Sequence, residues 1–417
     1  MAQLSDDCFA FGGALMPVDE AVALIGARVS PVQGTQTVRL EEADHRVLAQ
    51  PLFAPVPLPL FANSAVDGYA MRSADLPHDA PRAFPVSARV QAGSPAAPIA
   101  AGTSVRIFTG APMPEGADTV FMQEDAELDE AGRVLLPIGL RPGANMRPAG
   151  EDIAQGALAI PAGVRLRPQH VGLAAALGLT ELCVTRRIRV ALFSTGNELV
   201  GPGSARAPAQ LFDSNRYMLA ALLRRLGCEV SDLGILRDDR AALAQGLQQA
   251  AATHDLVLTS GGVSTGEEDH VRASVEAAGS LVLWRMAIKP GRPVAMGVIA
   301  GTPFIGLPGN PVASFVTFAY VVRPVVLALA GARPEPLVAL PVRADFAYKK
   351  KKGRREYVRA SLKISPEGLH MADKFPREGA GLLSSLADTD GLIELGEDVE
   401  RVAPGDSVGF LAYASLI

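Results

Sequence analysis

The chain has 417 residues, a net charge of −5 and a pI of about 5.8, so no overall basic field recruits nucleic acid. Hydrophobic residues make up 48% and charged ones 20%, as in globular proteins with a large buried interior, and the length suits about three domains. Aromatics at 5% exclude a platform for stacking bases, and three scattered cysteines (Cys8, Cys183, Cys228) with no CxxC pair exclude a disulfide framework or a zinc knuckle.

The amino-terminal stretch carries Asp6 and Asp7 ahead of Phe9 and lacks a basic region, so it is not expected to be a signal peptide. Helices are predicted over 18–25 and 40–49. Residues 51–150 are rich in proline and glycine and hold short alternating runs (Ala88-Arg-Val-Gln91, Thr103-Ser-Val-Arg-Ile-Phe108), the pattern of a compact β domain with many turns. A β-like stretch and a helix over 168–177 follow. Together with the amino-terminal helices they are expected to form one discontinuous domain, into which the β domain is inserted.

From 188 to 331 strands and helices alternate. The apolar run 188–193 ends in Ser194-Thr-Gly-Asn-Glu198, and a helix from 215 carries Leu219, Leu222, Leu223 and Leu226 on one stripe. Asp213 or Ser214 can cap it, and Gly227 sits where a left-handed residue ends a helix. A strand over 230–235, a helix over 239–252, a strand over 256–258 and a helix over 270–278 come next. Strands over 281–286 and 294–299 and a helix over 310–329 complete the series. This alternation implies a doubly wound, largely parallel sheet with helices on both faces. The apolar run 311–322 is too short for a bilayer and reads as a buried helix. In the tail, runs at 337–342, 356–364, 392–395 and 407–411 suggest a small β-barrel.

Four loops in this alternating region carry chemistry. Ser260-Gly261-Gly262-Val-Ser264 follows a buried strand and could be a plain tight turn, but Gly266-Glu267-Glu268-Asp269 stands just ahead of the next helix. Exposed backbone N–H groups at such a strand end can cradle a phosphate. An acid beside that anion needs a bridging divalent cation, and Mg²⁺ takes one or two carboxylates plus phosphate oxygens. Asp269 is therefore a candidate metal ligand, while Glu267 and Glu268 read as surface charges. Lys289-Pro-Gly-Arg292-Pro293, with Arg285 four residues earlier, is a rigid basic turn that can hold an oxyanion. Pro308-Gly309-Asn310-Pro311 makes a good helix start and equally a ligand loop. Asp67, Thr109 and Glu198 are unremarkable singly. Lys349-Lys-Lys-Lys-Gly-Arg-Arg355 reads as a solvated hairpin tip or a rim steering an anion, not as a nucleic-acid site, given the acidic whole.

Taken in order, several segments resemble the molybdopterin molybdenumtransferase family, the MoeA type, related to the gephyrin E domain. They are Asn63-Ser-Ala-Val-Asp67-Gly-Tyr-Ala70, Thr109-Gly-Ala-Pro112, Ser194-Thr-Gly-Asn-Glu198-Leu199, Asp213-Ser-Asn215, Ser260-Gly-Gly-Val-Ser264, Gly266-Glu-Glu-Asp269, Ile288-Lys-Pro-Gly-Arg-Pro293 and Leu307-Pro-Gly-Asn-Pro311. The resemblance implies a MogA-like α/β domain at 187–333, a discontinuous mixed domain at 1–54 plus 151–186, an inserted β-rich domain at 55–150 and a C-terminal β-barrel at 334–417. It implies insertion of molybdenum from molybdate into adenylylated molybdopterin with release of AMP, a requirement for Mg²⁺, and a cytoplasmic homodimer whose active site is shared between subunits. The enzyme that adenylylates molybdopterin, and other cofactor-synthesis proteins, are expected partners, with no nucleic acid and no membrane. Carried over residue by residue, the family's roles fall on Asp67, Thr109, Glu198, Asp238, Asp269, Lys289 and Arg359, with Asp238, Asp269 and Glu198 expected on the metal. Ser260, Gly261, Gly262, Ser264, Pro308, Gly309 and Asn310 are expected to cradle the pterin and phosphate, and Lys289, Arg285 and Arg292 to hold molybdate and the pyrophosphate. Two departures stand out: Arg285 replaces a common lysine, and Ala380 replaces a common serine, with Ser384 and Ser385 following.

Overall fold

The fold is taken from a computed structural model, which describes residues 15–236, 240–261 and 270–416. The helix Val18–Arg28 buries Val18, Ala21 and Ile25 against the α/β core. Residues 40–49 are not the helix their composition suggests. Only Leu40–Glu42 makes a 3₁₀ turn, His45 takes a left-handed φ of 61°, and the following backbone bonds elsewhere: Leu166 N–H donates to Arg46 O at 2.7 Å, and Leu48 N–H to Val164 O at 2.9 Å. Pairing with residues distant in sequence outcompetes local helix propensity there. Val38, Ala43 and Leu48 share one core with Ile160, Leu166, Ala174, Leu182 and Val184, across the intervening β structure. That β structure has its own core around Phe84, Ile107, Val120 and Phe121.

The central sheet has six strands, ordered Glu229–Leu236, Arg189–Thr195, Leu256–Ser260, Thr302–Leu307, Pro293–Ile299 and Gly279–Arg285. The first four are mutually parallel, and only Pro293–Ile299 runs against the rest, so the expected largely parallel sheet is present. One face packs on Val18–Arg28, Asn215–Arg225 and 311–329; the other faces Arg240–Thr253 and His270–Ala278. Fully buried side chains such as Phe193 and Phe304 contribute about 1.5–3 kcal/mol each to this packing.

The helix Pro311–Leu329 is long and apolar enough to cross a membrane, but 89% of its 18-residue apolar stretch is buried inside the protein. It widens to a π-helical segment at Phe318–Val322, because Pro324 lacks the N–H that would meet the carbonyl of Tyr320.

In the C-terminal region Arg355–Ile364, His370–Lys374, Leu340–Ala344, Ser407–Ala412 and Gly391–Leu395 close into a five-stranded barrel. The short strand Ile288–Lys289 of the α/β domain joins it, pairing with Arg355 and Glu356. Tyr320 donates to Glu394 across this seam at 2.9 Å, and Arg355 to Asp19 at 2.8 Å. The basic run is mostly absorbed by this structure. Lys350 donates to the carbonyls of Gly396 and Val399 at 2.8 Å, Arg354 pairs with Glu356, and Arg355 with Asp19, Glu394 and Glu397.

Candidate active site

In chain order, the first strand of the central sheet lies between the second and the third, so the crossovers diverge at the carboxyl ends of Arg189–Thr195 and Leu256–Ser260. Such a switch point leaves a crevice where α/β sheets take their ligands. Ser194, Ser260 and Leu307 stand side by side at this edge. Gly261 has φ +89°, its N–H donates to Leu307 O at 3.0 Å, and a Cβ there would lie 2.7 Å from the carbonyl of Thr195. Only glycine fits so close an approach.

Asn215, the first residue of its helix, donates its amide to Ser260 Oγ at 2.9 Å and to the Gly309 carbonyl at 2.7 Å. Its Oδ1 is buried and has no partner among the described residues, and the same holds for the hydroxyls of Ser194, Thr195 and Thr259. A group of unsatisfied polar atoms at one sheet edge is costly unless a ligand or water meets it. Pro308 and Gly309 follow the neighbouring strand. Asn310 then caps the next helix through its carbonyl, which accepts from Ser314 N–H at 2.9 Å, and the Ser314 hydroxyl donates to Pro308 O. Glu198 is exposed past Thr195, with its carboxylate folded back over Gly196 and, among the described residues, without a hydrogen bond or ion pair.

A second site lies at the seam with the barrel, a cleft of about 370 Å³ lined by Lys289, Tyr348, Glu356, Arg359, Lys374 and Arg377 among others. Arg359 is 7% exposed; its Nε donates to Ser385 Oγ at 2.9 Å and its Nη2 to Gly379 O at 3.2 Å, leaving Nη1 without an acceptor among the described residues. Burial lowers its pKa, the usual penalty on a charge removed from water. Glu356 is buried beneath Lys289. Burial pushes its carboxyl up, but hydrogen bonds from Tyr348 and Arg354 and the charges of Lys289 and Arg354 outweigh this and hold it below the usual range. The loop at 379–381 carries Ala380, whose carbonyl accepts from Val312 N–H at 3.0 Å, so the cleft and the Pro308–Asn310 loop are joined through one helix start.

Asp67 lies in the β domain. It accepts from the N–H and the hydroxyl of Thr109, both at 2.8 Å, and these bonds hold its carboxyl below the usual value. Gly68 beside it is obligatory, since a Cβ there would meet Phe121 O at 1.7 Å.

The structure thus brings Ser260, Gly261, Pro308, Gly309 and Asn310 to one edge. It puts Lys289 with Arg359 in the cleft, and Asp67 with Thr109 in a separate domain. Arg285 and Arg292 are exposed and stand on either side of Lys289, at the two ends of the connection between Gly279–Arg285 and Pro293–Ile299, but neither lines the cleft. Asp238, Gly262, Ser264 and Asp269 lie outside the described residues. Sequence reasoning left Asn215 in a matched motif without a role, and missed Tyr348, Glu356, Lys374 and Arg377. The Asp213-Ser-Asn215 motif at a helix start was the available signal for the first; the others have none within their own segments.

Three family models match the chain: the MoeA N-terminal region (domain I and II) over residues 16–178, a probable molybdopterin binding domain over 191–328, and the MoeA C-terminal region (domain IV) over 341–413. The chain is 36% identical over 388 residues to the molybdopterin molybdenumtransferase of Haemophilus influenzae, covering 92% of this chain and 95% of that protein. It is 36% identical to molybdopterin molybdenumtransferase 2 of Mycobacterium tuberculosis, covering 88% and 93%. The crystal structure of the molybdopterin biosynthesis MoeA protein from Pyrococcus horikoshii superposes with a TM-score of 0.80 at 28% identity, covering 96% of this chain and all of that one.

Proposed function

The chain belongs to the molybdopterin molybdenumtransferase family, and from that membership we propose that it takes molybdenum from molybdate, inserts it into adenylylated molybdopterin and releases AMP. Membership carries the coarser statement, a transferase of molybdenum-cofactor biosynthesis. The finer one is supported by a single observation: the orphaned polar atoms at the sheet edge and the cationic cleft at the seam are linked through the helix start at Pro311.

In this reading the sheet edge takes the pterin and its phosphates. The Gly261 backbone permits close approach, and Asn215 holds the Ser260 and Gly309 loops at a fixed separation. The cleft takes molybdate, a tetrahedral dianion, between Lys289 and Nη1 of Arg359, which has no acceptor among the described residues, with Lys374 and Arg377 adding positive charge. Fixed cations in a half-enclosed site stabilise an oxyanion without reorganising. The chain needs no nucleophile of its own if the dithiolene sulfurs of the substrate attack the metal.

Magnesium is proposed on Asp238, Asp269 and Glu198. Of these only Glu198 is described, and among the described residues no three acidic, histidine or cysteine side chains cluster as a metal site. An unengaged carboxylate beside the phosphate-binding edge suits a hard, oxygen-seeking cation. When bound, that cation would polarise the phosphoanhydride.

We also propose a homodimer in which the Asp67 loop completes the partner's site. Exposed Leu60 and Phe61 lie next to that loop, and exposed Leu211, Phe212 and Tyr217 lie near the sheet edge; such apolar groups favour a covered face. The enzyme that adenylylates molybdopterin is the natural donor of the substrate. Incubation with adenylylated molybdopterin, molybdate and Mg²⁺ tests the proposal. AMP release that depends on both molybdate and the cation is expected, whereas ATP consumption with free molybdopterin would point to the preceding adenylylation step instead.

A further inference from the structure

Glu356 is 1% exposed at the base of the seam cleft, and it comes from the barrel, whereas Lys289 comes from the α/β domain. Its Oε2 accepts from the Tyr348 hydroxyl at 2.8 Å and from Lys289 Nζ at 3.3 Å, and its Oε1 accepts from Arg354 at 2.8 Å. Tyr348 Oη also accepts from Lys289 Nζ at 3.4 Å, and the ammonium stands 5.9 Å from the centre of that ring. The pairing of Lys289 with Glu356 in adjacent strands fixes the backbone beneath these contacts.

The arrangement needs a reason. A buried carboxylate is costly, and well-packed apolar side chains would serve stability as well or better. In a cleft meant for an anion, its charge also opposes the ligand. Arg354 and Lys289 neutralise that charge, and what remains is geometry. Two of the three ammonium protons are committed to Glu356 and Tyr348. The third has no acceptor among the described residues, on a side chain that lines the cleft. A lysine on a flexible four-carbon stem loses entropy when an anion immobilises it, and a side chain already held loses less.

We propose that Glu356, with Tyr348, is a positioning residue that holds the Lys289 ammonium so that its unpaired N–H meets a tetrahedral oxyanion in the cleft. The inference rests on the reading of that cleft as the molybdate subsite. The pair also makes the subsite depend on barrel docking, since neither domain alone contains both the lysine and its anchor.

Equilibrium dialysis of the full-length protein with sodium molybdate tests it, using wild type, Lys289→Ala, Glu356→Gln, Tyr348→Phe and the Lys289→Ala/Glu356→Gln double variant. Glu356→Gln is expected to weaken molybdate binding about fivefold and Tyr348→Phe about twofold, the scale of ordering one long side chain. The loss should vanish in the Lys289→Ala background, and kcat at saturating molybdate should stay near wild type. Binding by Glu356→Gln as tight as wild type, or tighter, overturns the proposal, because charge repulsion then dominates. A loss that persists undiminished without Lys289 overturns it too, because the role is then general support of the fold. Should Glu356→Gln fail to fold, unchanged binding by Tyr348→Phe overturns it. If Lys289→Ala itself binds molybdate normally, the reading of the cleft as the molybdate subsite is what fails.

Discussion

Asn215 donates its side-chain amide to the carbonyl of Gly309 at 2.7 Å, joining a helix start to a loop 94 residues further along the chain. A carbonyl can only accept, so the amide nitrogen must face it, and the amide oxygen is left buried and unpaired. Asn215→Ala removes the tie to both Ser260 and Gly309, at a cost of about 1–3 kcal/mol. The expected result is a lower melting temperature and weaker binding of molybdopterin, with molybdate binding at the seam unchanged. Asn215→Asp should be worse, because an acceptor then faces the Gly309 carbonyl. Unaltered pterin affinity in both variants would remove Asn215 from the site.

At Gly261 a left-handed φ and a close approach to Thr195 act together. The Cβ of Gly261→Ala would press on backbone, which cannot rotate away. Destabilisation of about 1–3 kcal/mol is expected from the backbone conformation alone, and denaturant titration measures it. Molybdopterin binding should fall more than stability does, because any relief moves the Thr195 carbonyl or the loop itself. A variant as stable as wild type would show that this edge is looser than its geometry implies.

Asp255 provides the pH-dependent case. It stands at the opposite edge of the sheet, 3% exposed, and accepts from Arg186 at 2.6 and 2.7 Å and from Arg189 N–H at 2.8 Å. Burial pushes its carboxyl up, but the bonds from Arg186 and Arg189 and the charge of Arg186 outweigh that and leave it below its ordinary 3.8. A lowered folded value means the contribution is complete above the unfolded value and is lost as pH falls through the folded one. Asp255→Asn should therefore cost about 2–3 kcal/mol from pH 5 to 8, less than a fully buried pair because Arg186 keeps some contact with water. The gap to wild type should narrow below about pH 4. Activity per folded molecule should be unchanged, and a gap that widens in acid would refute the assignment.

What could be read in the sequence divides along physical lines. Strand–helix alternation is local, so the sheet and its loops at Ser260 and Pro308 were legible from spacing alone. The hairpin basic turn was legible too, but Arg285 and Arg292 are exposed on it and outside the cleft. Lys289 turns to the barrel because its strand pairs with Glu356, which lies 67 residues away and leaves no trace near the lysine. The stretch 40–49 misled for the same reason: its backbone partners are residues 164–166 and 183–185. The serine absent at Ala380 is a departure the sequence could flag but not interpret. The structure has a hydroxyl close by, that of Ser385, which anchors Arg359.

Asp67 tests the shared site. Its hydrogen bonds stay within the β domain, to Thr109 alone, and the residue is only half-buried, so Asp67→Ala should lower the melting temperature no more than slightly. Activity should still collapse if that carboxylate serves the site of a neighbouring subunit. Lys289→Ala places a second lesion in the α/β half. If each site draws Asp67 from one subunit and Lys289 from the other, a mixed dimer of the two variants contains one site with both lesions and one with neither. Random mixing makes half the dimers mixed, so about a quarter of wild-type activity should return. Were both residues to serve a site within one chain, every site would carry a lesion and mixing would recover nothing. A chain covalently linked to its partner, carrying both substitutions in one half only, should then be inactive in the shared-site case, because each site takes one substituted residue, and should keep about half of the wild-type rate if each site lies within one chain.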